Sequence, residues 1–100
     1  MSIQPGAYIQ KDPQAEIVYT FNWAAWLDGS EIDTYTITIT GPDSVLEQDE
    51  DDLVTGNQKV EVRLKAGTVG KQYTVTCRIV TDEAKPQTDD KSVTVQIRNQ

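Results

Sequence analysis

An all-β sandwich is the fold class the sequence predicts, and three observations predict it. Large apolar residues recur at every second position through five separate segments, which is the period of a half-buried strand. Clusters of Gly, Pro, Asn and Asp separate those segments, as turns do. Thr is abundant and hydrophobic content is only 37%, a balance that suits a thin sandwich with Thr on its solvent faces better than a helical bundle. Five clear strands and two weaker ones, about seven antiparallel strands in all, fit an immunoglobulin-like β-sandwich.

The opening residues do not alternate. Ser2–Asp12 holds Pro5-Gly6, then Tyr8 and Ile9, then Lys11-Asp12-Pro13. It reads as an N-terminal arm over 1–13 leading into a sandwich domain over 14–100, with Ile3, Tyr8 and Ile9 as side chains that could pin the domain to a neighbour. The first core strand follows, with Ile17, Tyr19, Phe21 and Trp23 on one face and Thr20 and Asn22 on the other. Asn22–Leu27 is the only helical-looking stretch, and Asp28-Gly29 ends it after about one turn. Tyr35, Ile37 and Ile39 then alternate with Thr until Gly41-Pro42 stops the strand, since Pro cannot donate to a ladder.

Ser44–Glu47 and Leu53–Thr55 are the weaker candidates. Three clear strands close the chain: Val60, Val62 and Leu64; Tyr73, Val75, Cys77 and Ile79; Val93, Val95 and Ile97. These apolar positions, with those of the first two strands, are the expected core.

One hundred residues make one domain and can bury a core without metal or disulfide. The formal charge of −7 repels phosphates and anionic lipid, so neither nucleic acid nor membrane is an expected partner. Cys77 is the single cysteine, which rules out an intrachain disulfide. The start MSIQPGAYIQKDP lacks a basic n-region and an apolar h-region. No signal peptide is expected, and synthesis in the cytosol is the default.

Catalytic chemistry finds little support. The chain has no histidine, which removes the commonest general base and the usual zinc ligands. Cys77 lies at a core position between Val75 and Ile79, where a thiol without a basic partner is inert. Gly70-Lys71 lacks the earlier Gly and the following Ser or Thr of a phosphate-binding loop, so Ala66–Gly70 reads as a turn. Glu47-Gln48-Asp49-Glu50-Asp51-Asp52 packs five carboxylates into six residues, and Asp49, Asp51 and Asp52 are the Ca²⁺ candidates. An EF-hand loop alternates its ligands around a Gly, whereas these acids are nearly contiguous. The expectation is therefore a solvated, self-repelling loop, no cofactor and no enzyme. Trp23 shares the core parity, and Trp26 lies just beyond it as an interface candidate.

Several of these segments together resemble a known family. Lys11-Asp12-Pro13, the stretch Ile17–Leu27 (IVYTFNWAAWL), Ala66-Gly67-Thr68, Tyr73–Thr81 (YTVTCRIVT) and Asp89–Arg98 (DDKSVTVQIR) resemble small immunoglobulin-like virion proteins of tailed phages, often fibre-to-tail adaptors. The resemblance spans Lys11–Arg98, and Phe21-x-Trp23-x-x-Trp26-Leu27 is its most specific part. The acidic Glu47–Asp52 segment and the long Asp82–Asp90 turn depart from the pattern, both in loops that set partner choice.

The resemblance implies a structural component of a virion that docks other virion proteins (tail, fibre or capsid) in multiple symmetric copies, so that avidity strengthens each contact. A capsid decoration or cement protein is the nearest alternative. A carbohydrate- or cell-surface-binding module is the alternative from a different class.

Overall fold

The period-two segments pair into two sheets. In the computed structural model, which describes residues 7–27 and 29–98, seven strands and one short helix follow one another. They are β1 (Ala7–Lys11), β2 (Ile17–Asn22), α1 (Ala24–Leu27), β3 (Ile32–Thr40), β4 (Glu47–Leu53), β5 (Lys59–Lys65), β6 (Gln72–Thr81) and β7 (Thr88–Ile97). One sheet has the order β1-β7-β6-β3 and the other β2-β5-β4. The orders 2-5-4 and 3-6-7 are those of the immunoglobulin sandwich, with the first strand placed on the β7 edge.

The core lies between the sheets. Val60, Val62, Leu64, Val75, Cys77, Ile79, Val93, Val95 and Ile97 are fully enclosed there, with Phe21, Trp23 and Tyr73 beside them. All belong to the alternating positions read from the sequence. Ile17, Tyr19, Tyr35, Ile37 and Ile39 pack against this core but stay partly exposed. Their strands explain the difference: β2 and β3 are sheet edges, so each has only one neighbour to cover it. Leu27, Ile32 and Leu46 are also buried in this core, though no alternation marks them.

Two segments differ from the sequence reading. The acidic run is not a loop; Glu47–Leu53 is β4, so neither weaker candidate, Ser44–Glu47 nor Leu53–Thr55, covers the strand. Repulsion among the acids is offset by cations across the ladder, where Lys65 faces Glu47 and Arg63 faces Glu50. The register shifts between Gln48 and Glu50, and this bulge frees Asp49 to meet Arg63. The second half of the N-terminal segment is β1, which runs parallel to β7 with Ile9 opposite Val95. The other four strand pairings are antiparallel. Ile3 lies outside the described residues.

The helix is a one-turn connector. Ala24 N–H donates to Asn22 Oδ1 at 2.9 Å, an Asx turn leading into the helix, and Leu27 N–H donates to Trp23 O at 2.9 Å. No helix among the described residues is long and apolar enough to cross a membrane.

Candidate functional site

Side chains at alternate positions of a strand face opposite ways, so each sheet carries an outer face whose chemistry can be read row by row. On the four-stranded sheet the register aligns Gln10, Gln96 and Gln72 in one row and Tyr8, Thr94, Thr74 and Thr40 in the next. Ser92, Thr76 and Thr38 form a third row, and Thr76 and Ser92 share a hydrogen bond of 2.9 Å. The fourth row holds Asp90, Arg78 and Thr36. Its two charges cancel: Arg78 Nε donates to Asp90 Oδ1 at 2.8 Å and Nη2 to Oδ2 at 3.1 Å. That guanidinium holds the Asp90 carboxyl below the usual carboxylate range.

The face is thus hydroxyl- and amide-rich and electrically neutral on a chain of net charge −7. A shallow depression of about 390 Å³ lies on it, lined by Thr36, Thr38, Thr76, Arg78 and Asp90.

The three-stranded sheet is different. Its outer rows set Val18, Arg63 and Glu50 together, then Thr20, Glu61 and Asp52. Arg63 Nε and Nη2 donate to the two Asp49 oxygens at 2.9 and 2.8 Å, and Glu50 and Glu16 lie within 3.7 Å of the same guanidinium. The pairing lowers the Asp49 pKa and raises that of Arg63. Asp52 and Glu61 face each other across the ladder. A wider hollow of about 590 Å³ is lined by Val18, Asp49, Glu50, Asp51, Asp52, Glu61 and Arg63.

The three Ca²⁺ candidates take separate roles. Asp49 is clasped by Arg63, with Lys65 3.8 Å away. Asp51 faces the core side of β4, opposite Val62, and accepts from the Tyr35 hydroxyl and from Gln48. The bond to Asp51, more than burial, pushes the Tyr35 pKa up to about 12. Asp52 faces the opposite side. Among the described residues no group of three or more His, Cys, Asp or Glu side chains could hold a metal ion.

The interface candidates are also dispersed. Tyr8 is on the outer face of β1, 52% exposed, and donates to Gln96. Ile9 points inward and packs on the core, as does Trp26 at the helical end. Burial pushes the Cys77 thiol up to about 12, far from a reactive thiolate.

Sequence reasoning missed Asp89. It is buried and accepts from Trp23 Nε1 at 3.1 Å, while Lys91 stands over the Trp23 ring at 5.4 Å. The signal was present, since Asp89 holds core parity with Val93 and Val95, but an Asp in such a place reads as turn.

The family model of the podophage GP4 fiber-tail adaptor protein gp77 matches residues 11–96. No curated protein matches the chain. The match spans most of the sequence, and the chain belongs to this phage fibre-tail adaptor family.

Proposed function

We propose, from that membership, that the chain joins fibre to tail without catalysis, using the outer faces of its two sheets to hold unlike partners. The observation that carries this reading is the segregation of charge. One face is neutral and rich in hydroxyls and amides, with Tyr8 exposed at its margin; the other is charged, with its acids massed along β4. An adaptor has to grip two different proteins, and complementary charge gives specificity and orientation more than raw affinity. The neutral face fits a partner that docks through hydrogen bonds and shape. The charged face fits a partner with a basic surface. The absence of histidine and the enclosed Cys77 thiol support a purely structural role.

Reconstitution with the purified fibre and tail proteins of the same phage tests the reading. Thr74→Arg with Thr94→Arg places two charges in the neutral face, and Glu50→Lys with Asp52→Lys reverses the other. Each pair of changes is expected to weaken one partner by roughly tenfold or more, because an unmatched charge in an interface costs a few kcal/mol. The other partner should bind as before. Bridging unaffected by both variants would contradict the proposal.

A further inference from the structure

A sheet edge leaves a row of backbone N–H and C=O groups unpaired, and proteins ordinarily blunt it by shortness, charge, a bulge or an inward-pointing charged side chain. The two sheets have four edges, β1, β3, β2 and β4. β1 has five residues. β4 combines a run of acids, a bulge and the core-facing Asp51. β2 carries no charge but has six residues and runs almost directly into α1.

β3 has none of these devices over most of its length. It is nine residues long, and its single charge is Asp33, at the irregular start. From Thr34 to Thr40 it keeps one unbroken register on β6. Half of its backbone groups there point away from β6 by the geometry of a two-sided ladder.

The surroundings of that edge restrict what can pair with it. The Tyr35 hydroxyl reaches Asp51 of β4, so β3 and β4 border the same open side of the sandwich. A strand laid along β3 would set alternate residues beside Thr34, Thr36 and Thr38. The intervening residues would cover the partly exposed Tyr35, Ile37 and Ile39 and pass next to Asp51, the acid that β4 turns to this side. Two copies joined edge to edge through β3 would instead bring two acidic β4 strands together across the seam, an arrangement that like charge opposes.

We propose that the Thr34–Thr40 edge accepts an extended strand from a partner protein, one that alternates small uncharged residues with apolar ones and presents Lys or Arg where it passes β4. This is β-strand addition, in which main-chain hydrogen bonds supply affinity and alternate side chains supply specificity. The inference rests on the adaptor reading and specifies how one of the two partners is held.

Amide hydrogen exchange on the full chain, alone and with the purified fibre or tail protein, tests it. With one of the two partners, amides within Thr34–Thr40 are expected to slow at least tenfold, while those of β1 and β2 change less. Asp51→Asn keeps an acceptor for the Tyr35 hydroxyl but removes the β4 charge on the β3 side, and should weaken that same complex by about two- to fivefold. A stable complex in which β3 exchanges as in the free chain would overturn strand addition and leave the adaptor reading standing. Binding to neither purified partner would overturn both. Concentration-dependent protection of β3 in the chain alone would identify a second copy as the occupant and contradict the proposal.

Discussion

Tyr73 shows how much one hydroxyl can organise. It donates to Asp43 Oδ1 at 2.6 Å and accepts from Thr68 N–H at 3.0 Å, so three connections converge on it: the start of β6, the turn before it and the loop after β3. Its ring lies so close to Gly41 that a Cβ there would stand 2.4 Å from Cδ2. Gly41 therefore does more than stop a strand; it leaves room for the ring. Thr68 Oγ1 also donates to Asp43 at 3.0 Å. Tyr73→Phe keeps the ring but leaves Thr68 N–H without its acceptor, and is expected to cost about 1–3 kcal/mol. Thermal melting should register a fall of roughly 4–8 °C per kcal/mol; an unchanged melting temperature would refute this role. The core position of Tyr73 was legible from its spacing to Val75 and Cys77. The bond was not, because its partners lie 30 and 5 residues away and no local pattern joins them.

β4 is the element whose existence depends on its neighbour. Five acids in six residues would repel one another in isolation, and the sequence reading as a loop followed from that repulsion. Arg63 and Lys65 reverse the outcome by standing across the ladder, where a bulge lets one carboxylate take a two-pronged grip. Both cations alternate with apolar residues on β5 and so had to face outward; what could not be read was which strand would lie beside them. Arg63→Gln is expected to speed amide exchange in β4 several-fold while β6 and β7 keep their protection. Equal loss throughout would show that β4 is not a separately stabilised edge.

A pH dependence follows from three carboxylates held by hydrogen bonds, one of them on β4. Asp43, Asp49 and Asp90 are held below their ordinary value of 3.8, chiefly by Tyr73, Arg63 and Arg78 respectively. A depressed carboxylate contributes stability that is complete above its unfolded value and is lost as pH falls through the folded one. Melting temperature should therefore hold steady down to about pH 5 and fall below about pH 4. Arg63→Gln should lose less of its stability on acidification than the unaltered chain. An equal fall in both would remove the Asp49 pair from the account.

At the scale of the whole molecule, the chain is a slab measuring 45 × 24 × 20 Å with two unlike faces. Its layers were legible because every-other-residue burial holds through β2, β3, β5, β6 and β7. The faces were not, since they depend on how distant strands align: three glutamines from β1, β7 and β6 meet in one row although they lie far apart in the sequence. The place of β1 was hidden for the same reason, as a short strand with a buried Lys11 gives little alternation to detect. Lys11 Nζ donates to the carbonyls of Asp12 and Ala66 at 2.9 and 2.7 Å, a bond pattern that only the fold brings about.

We propose that the molecule sits between fibre and tail with a different face toward each. Electron cryomicroscopy of the intact particle tests it most directly. Sandwich density is expected at the fibre–tail junction, with the hydroxyl-rich sheet against one component and the β4 side against the other. Density that touches a single component, or a particle lacking the chain altogether, would contradict it.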